Sequence, residues 1–296
     1  MVQLTQDSFA FGKKLIKLDK AINLIKKNIQ CNKKVNIINT TKALDKILAT
    51  NVISKINVPP YSNSAVDGYA IGYKEYLNGV REFKIAGKSS AGHPFNKLIK
   101  KQSAIRVLTG AMLPKGLDTI IMEEDCLLKN NILKLPNGIK KNNNYRTLGE
   151  DIKINSKIFN KGHKIRPQDI GILSSIGINK ISVYKPLKVA IFSCGDELIK
   201  AGKTLKKGHL YDSNREMLIN FIKKLGFIVE DMGILKDNIN SINDKINNAS
   251  KNNDLIITSG GMSLGEEDHI KKLIEKNGKM YAWRLAIKPG RPVGFG

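Results

Sequence analysis

Leucines and isoleucines return every three or four positions over residues 15–29, LIKLDKAINLIKKNI, and this spacing predicts an amphipathic helix. A second, shorter helix is expected after Thr40 and Thr41, where a threonine N-cap precedes KALDKILA. Residues 58–71, VPPYSNSAVDGYAI, break helical order with two adjacent prolines and a polar turn, and so mark a boundary. From there to about residue 144 the chain alternates short apolar runs (REFKIAG, SAIRVLTG, DTIIMEE, NILKLP) with Gly, Pro and Asn turns. That rhythm predicts a small β-rich domain.

Lys140, Lys141 and the three asparagines 142–144 form a polar link to DIKINSKIFNKGHKI, a further expected β pair. The next segment, RPQDIGILSSIG, has Pro167 suited to a first helical turn and Gly177 suited to a C-terminal cap, and is expected to pack with the N-terminal helices. Beyond Pro186 the pattern becomes strand, turn, helix. LKVAIFS leads to a turn at Cys194, Gly195 and Asp196, then a helix at about 213–225, then FIVEDMGIL, a helix near 239–249, and DLIITS. Such alternation predicts a three-layer α/β domain with a mostly parallel sheet, in which ligands bind beyond the carboxyl ends of the strands. The expected fold is therefore α/β plus β and multidomain, divided as 1–57 with 145–185, 58–144, and 186–296.

The richest chemistry lies in DLIITSGGMSLG, residues 254–265, followed at once by Glu266, Glu267 and Asp268 and a helical pattern. A strand ending in a glycine turn at a helix N-terminus offers free backbone N–H groups to phosphate or another oxyanion, which makes Gly260, Gly261, Ser263 and Gly265 candidate ligands. Acids beside an anion site call for a hard cation such as Mg²⁺ between them. Residues 261–265 also fit the G-x-S-x-G nucleophile elbow, but the acid and histidine of a hydrolase triad do not follow, His269 being the only later histidine. Ser263 is better placed as a hydroxyl donor to an anion. Gly87, Lys88 and Ser89 resemble the end of a P-loop, yet Glu82 stands where its first glycine is required, and no G-x-G-x-x-G follows a strand.

Composition narrows the picture. A chain of 296 residues with 41% hydrophobic content has material for two or three cores. The net charge of +24 invites a nucleic-acid reading, but 43 of the basic residues are Lys and only 7 are Arg, the residue favoured for phosphate forks and base readout. Lysine rises together with 40 Ile and 29 Asn, as an AT-rich coding bias would produce at tolerant positions. Residues 186–296 hold 18 basic against 13 acidic residues, so +19 of the +24 precedes the glycine-loop domain. The charge reads as a solvated coat, with no specific nucleic-acid partner expected. His93, His163, His209 and His269 lack ligand spacing, and Cys31, Cys126 and Cys194 lack disulfide or zinc spacing. No apolar run approaches the ~20 residues of a membrane span and no signal-peptide core opens the chain, so no membrane association and a cytoplasmic location are expected.

Six motifs in register resemble the molybdopterin molybdenumtransferase family, which includes bacterial MoeA proteins and the C-terminal domain of gephyrin. They are PPYSNSAVDGYAI (59–71), RVLTGAMLP (106–114), SCGDEL (193–198), YDSNR (211–215), TSGGMSLGEEDH (258–269) and AIKPGRPVGFG (286–296). The resemblance implies insertion of molybdenum from molybdate into adenylylated molybdopterin with release of AMP, dependent on Mg²⁺. It implies a molybdopterin-binding α/β domain at 186–296, a β-rich lid at 58–144, and an elongated helix/strand dimerisation domain from 1–57 with 145–185. Carried over by motif, the catalytic set is Asp67, Thr109, Glu197, Asp237, Asp268 and Lys288, with Asp237 and Asp268 as metal ligands and Arg284, Lys288 and Pro289 at molybdate. Asp67 and Thr109 are implied to act in trans, on the site of the other subunit of a homodimer. The upstream adenylyltransferase is an implied partner.

Local sequence alone leaves other duties open, since Asp67 before Gly68 suits a turn and Asp237 suits a cap on the following helix. Two positions depart from the family, which commonly has Thr where this chain has Cys194 and often Lys where it has Arg284. The first change is expected to lose a hydroxyl donor and the second to keep charge while altering its shape. Family members continue beyond the GRPVGFG strand into a further turn, the rest of the α/β domain and a small β domain that supplies part of the oxyanion pocket. A chain truncated at Gly296 is therefore expected, and the runner-up reading is a catalytically weak binding or scaffold protein that holds molybdopterin-AMP without installing the metal.

Overall fold

The run KVAIFSC is buried from Val189 to Cys194 and forms the strand Lys188–Cys194 at the centre of a three-stranded parallel sheet, between Ile228–Leu235 and Leu255–Ser259. The computed structural model of the chain describes residues 15–29, 34–260, 269–283, 285–287 and 293–296. These fall into two compact units, Asn36–Val183 and Met1–Val35 with Tyr184–Gly296.

In the second of these units the period-two alternation of the central strand decides what each face packs against. Val189 and Ile191 meet Ile219 and Ile222 of the helix Asn214–Lys224. Phe192 and Cys194 meet Ile242 of the helix Ile239–Asn252 and Ile270 and Leu273 of the helix His269–Asn277. Each fully buried Ile or Phe contributes roughly 1.5–3 kcal/mol of hydrophobic stabilisation. The sheet therefore has helices on both faces, as the strand and helix rhythm predicts. The expected N-terminal helix is also present, as Leu18–Asn28. No described helix is long and apolar enough to cross a membrane.

The Asn36–Val183 unit is built around a six-stranded sheet in the order Thr119–Met122, Gly68–Ile71, Ser103–Val107, Glu82–Ser89, Ile132–Lys134, Leu127–Lys129. Only the Glu82 and Ser103 strands run parallel. Tyr69, Ile71, Phe83, Ala104, Ile121 and Leu133 pack on one face and Ala70, Ile105, Val107 and Ile120 on the other. The four apolar runs read from sequence are four of the six strands of this sheet. Gly68 is required where it stands, because a side chain there would run into the Ile121 carbonyl oxygen.

A third cluster joins Ala43, Leu48, Val52, Phe159, Ile165, Leu173, Ile176, Ile181 and Val183. Its helix, Pro167–Ser175, starts on the expected proline and stops at Gly177, which takes φ 75°. The helix expected after Thr41 does not form. Only the short 3₁₀ turn Thr40–Lys42 is present, and beyond it the backbone N–H groups of Asp45 and Leu48 bond to the distant carbonyls of Ile165 and His163. Tertiary partners take the donors that a local helix would have used, and Ala43 and Leu48 become fully buried as a result.

Asp169, completely buried in the third turn-forming position of the helix Pro167–Ser175, anchors this cluster electrostatically. Its Oδ2 lies 2.7 Å from His163 Nε2 and accepts from the Arg166 main-chain N–H at 2.9 Å, while Oδ1 accepts from Arg166 Nη2 at 2.9 Å. The Arg166 side-chain bonds, joined by the His163 contact and opposed by burial, hold this carboxyl well below the usual carboxylate range. A carboxylate whose folded acidity is enhanced adds stability above its unfolded pKa, and that contribution is lost as the pH falls toward the folded value. Asp169→Ala is expected to cost about 1–3 kcal/mol by urea denaturation at pH 7. The gap between wild type and variant should begin to close below about pH 4; a gap independent of pH would show that the carboxylate charge is not what matters.

Candidate functional site

The carboxyl ends of the three parallel strands converge on the turn Cys194–Gly195–Asp196–Glu197. Ser193 pairs with Ser259 across the sheet, which sets Gly260 directly against the main chain of Cys194. Gly260 takes φ 89°, and a side chain there would collide with the Cys194 carbonyl oxygen. Only glycine lets the loop entrance come this close.

Asp237 sits just past the strand Ile228–Leu235 and is tied to the same turn twice. Cys194 Sγ donates to Asp237 Oδ1 at 3.0 Å, and the Asp237 main-chain N–H donates to Asp196 Oδ1 at 3.3 Å. Burial, then the bond to Asp237, then the neighbouring carboxylates Asp196 and Glu197 push the Cys194 thiol up to about 12. It stays protonated and acts as a donor, so the residue expected to lose a hydrogen bond relative to threonine keeps a weaker one. The helix Ile239–Asn252 is capped by Asn238, whose Oδ1 accepts from Asn240 and Ser241 main-chain N–H groups at 3.1 and 3.0 Å. Capping therefore does not occupy Asp237. Glu197 is exposed in the same turn, with its carboxylate close over Gly195.

Sequence reasoning did not single out the support beneath this turn. Ser193 Oγ donates to Asp212 Oδ1 at 3.0 Å, and Arg215 Nε donates to Asp212 Oδ2 at 2.8 Å. Arg215 Nη1 reaches both oxygens of Asp231 at 2.5 and 2.6 Å. Arg215 and Asp212 are only 2% and 4% exposed. A buried pair satisfied by this many bonds fixes the start of the helix Asn214–Lys224 to the end of the central strand. The signal was present in YDSNR as an Asp and an Arg three apart, but its partner Asp231 comes from another strand.

In the Asn36–Val183 unit, Asp67 and Thr109 are brought together from 42 residues apart. Asp67 Oδ1 accepts from the Thr109 main-chain N–H at 2.6 Å and from its hydroxyl at 2.8 Å. The main-chain bond, then the hydroxyl bond, hold the pKa of this exposed carboxyl below its ordinary value against some desolvation, with the Arg106 and Lys88 charges adding to the effect. Asp67 thus does more than form a local turn. Its side chain joins the start of one strand to the end of its neighbour, and Oδ2 has no hydrogen bond among the described residues.

The remaining expected site residues, Gly261, Ser263, Gly265, Asp268, Arg284, Lys288 and Pro289, lie outside the described residues. Among the described residues no group of three or more His, Cys, Asp or Glu side chains could hold a metal ion. Asp237 fits a cation that takes few protein ligands, because one of its oxygens is engaged by Cys194 and the other has no hydrogen bond among the described residues. Mg²⁺ is commonly held by one or two carboxylates with substrate phosphates completing the shell.

Comparison with known proteins bears on the family and the fold. The family described as the MoeA N-terminal region (domain I and II) matches residues 16–177, and the one described as a probable molybdopterin binding domain matches residues 190–296. The molybdopterin molybdenumtransferase of Haemophilus influenzae is 38% identical over 95% of this chain and 70% of its own length. Gephyrin of Dictyostelium discoideum is 31% identical over 94% of this chain, which spans 42% of that protein. Among solved structures, a molybdopterin biosynthesis MoeA protein of Pyrococcus horikoshii superposes with a TM-score of 0.84 at 29% identity, over 95% of this chain and 71% of that one. Motifs, sheet topology and these matches run together along the chain, which belongs to the molybdopterin molybdenumtransferase (MoeA) family of molybdenum cofactor biosynthesis.

Proposed function

We propose that this chain is a molybdopterin molybdenumtransferase, inserting molybdenum from molybdate into adenylylated molybdopterin as AMP is released. The observation that carries the reading is the junction at the carboxyl end of the α/β sheet. There Gly260 is pressed against Cys194, and Asp237 is held by the thiol with one oxygen to spare. A phosphate-binding loop and a hard oxygen ligand at one strand end are what a phosphoanhydride substrate requires.

In this reading the loop of Gly260, Gly261, Ser263 and Gly265 binds the phosphates, and Asp237 and Asp268 hold Mg²⁺. The cation would offset the charge that builds on the anhydride as it breaks. Glu197 faces the same crevice and orients the reacting groups. Lys288 and Arg284, beside Pro289, hold molybdate and balance its charge. Asp67 and Thr109 serve the site of the other subunit in a homodimer. The proposed organisation has three parts, with 1–57 and 145–185 for dimerisation, 58–144 as lid and 186–296 for molybdopterin. A cytoplasmic enzyme receiving its substrate from the upstream adenylyltransferase completes the proposal. The scaffold alternative is not favoured, since the similar curated bacterial proteins carry transferase names.

The test is AMP release from adenylylated molybdopterin by this chain with Mg²⁺, in the presence and absence of molybdate. Molybdate-dependent release is expected, and tight binding of the substrate without release would replace the enzyme by the scaffold. Asp237→Asn and Lys288→Ala should each lower the release rate by roughly 10²–10³-fold with an unchanged melting temperature. A wild-type rate in Asp237→Asn would remove the metal assignment. Mixing Asp67→Ala chains with Lys288→Ala chains should restore part of the activity, through the one composite site that is intact in each mixed dimer. No recovery after verified subunit exchange would overturn action in trans.

A further inference from the structure

One end of the six-stranded sheet gathers charges that the proposed reaction does not use. The strand Gly68–Ile71 begins there, and its two neighbours Ser103–Val107 and Thr119–Met122 and the next strand, Glu82–Ser89, all end there, with Gly68 opposite Val107 and Met122 and with Ser89 opposite Val107. Arg106 is the register partner of Tyr69 on one side and of Lys88 on the other. This places a guanidinium, an ammonium and a phenol beside the turn that carries Asp67.

The contacts form a continuous path to that turn. Arg106 Nη2 donates to Glu123 Oε2 at 2.9 Å, and the Tyr69 hydroxyl donates to Glu123 Oε1 at 3.4 Å, so both carboxylate oxygens of Glu123 are held. The main-chain N–H of Glu123 in turn donates to the Asp67 carbonyl oxygen at 3.3 Å. Thr109 fixes Asp67 Oδ1 from the opposite side. Asp67 is thus gripped through its carbonyl and through one carboxylate oxygen, and the other oxygen is left for a ligand.

Two features suggest that Arg106 serves more than the fold. Its Nε is shielded from water and has no hydrogen-bond partner among the described residues, a donor that an arginine placed for stability alone would use. The Arg106 and Glu123 side chains are each 40% exposed, so the pair is at the surface beside Asp67 and not in the core, where an ion pair contributes little to stability.

We propose that Arg106 is a positioning residue for Asp67: by fixing the Glu123 carboxylate it holds the Glu123 main chain against the Asp67 carbonyl, and so presents the free Asp67 oxygen in one orientation. The proposal rests on reading Asp67 as a catalytic residue. The charges around Asp67 are Arg106 from the Ser103 strand, Lys88 from the Glu82 strand, and Glu123 with Glu124 and Asp125 from the turn after the Thr119 strand. Arg106 and Lys88 both favour the ionised carboxylate, in the same direction as the Thr109 bonds.

The experiment follows the Asp67 side-chain carboxyl carbon by NMR against pH in the full chain, assigned by its loss in Asp67→Asn, alongside AMP release in the same variants. In Arg106→Gln the Asp67 titration should move up, and in Glu123→Gln it should move down, while melting temperatures stay near wild type. Arg106→Lys keeps the charge without the fork, so its titration should stay near wild type while kcat falls on the order of 10- to 100-fold and KM changes little. A titration unmoved by Arg106→Gln, with AMP release at the wild-type rate, would overturn the proposal. If Asp67→Asn releases AMP normally, the catalytic reading of Asp67 fails instead, and the titration still reports whether Arg106 acts on that carboxylate.

Discussion

Burying the strand Lys188–Cys194 on both faces constrains everything around it. Its odd residues commit one face to the helix Asn214–Lys224 and its even residues commit the other to the helices Ile239–Asn252 and His269–Asn277. With no face left to solvent, the strand is buried from Val189 to Cys194, and beyond its carboxyl end the chain reaches the surface again at Asp196 and Glu197. The neighbouring parallel strands end at the same level, so Asp237 and Gly260 arrive there by register and not by chance. Hydrophobic burial positions the site, and the glycine at 260 lets the main chains approach closely enough to complete it.

Charge is buried sparingly, and where it is buried it joins elements. Asp169 with Arg166 and His163 closes the cluster around Leu48 and Leu173, and Arg215 with Asp212 and Asp231 ties a helix start to the strand Ile228–Leu235 and, through the Asp212 bond to Ser193, to the end of the central strand. Removing one partner of such a pair would leave a desolvated charge, which is costlier than never having had the pair. These two knots contrast with the lysine coat, most of which is exposed and free to vary. The excess of +24 is a property of that coat.

Two duties expected from local sequence are performed by other residues. Asn238 caps the helix after Asp237, and Asp67 bonds across the sheet to Thr109 in place of a purely local turn contact. In both cases one carboxylate oxygen is bonded and the other has no hydrogen bond among the described residues. A carboxylate held through one oxygen is poised to orient a ligand with the other, because its rotamer is already chosen before binding.

The sequence by itself determined the elements whose signals are local. The strand and helix rhythm after Pro186, the apolar runs of the six-stranded sheet, the proline start and glycine stop of the helix Pro167–Ser175, and the glycine at 260 all follow from periodicity and from the φ each residue allows. Six motifs in register were enough to resemble one family. Tertiary structure alone decided what depends on partners far along the chain. The segment after Thr41 has the pattern of a helix, yet its N–H groups find Ile165 and His163 and the helix is not made. Arg106 and Tyr69 lie in two separate motifs and Glu123 in none, and the three meet beside Asp67 only because the strand Gly68–Ile71 starts where Ser103–Val107 and Thr119–Met122 end. Local preference is worth tenths of a kcal/mol per residue, whereas a buried hydrogen bond left unmade costs about 1–3 kcal/mol, so the long-range partner wins wherever the two compete.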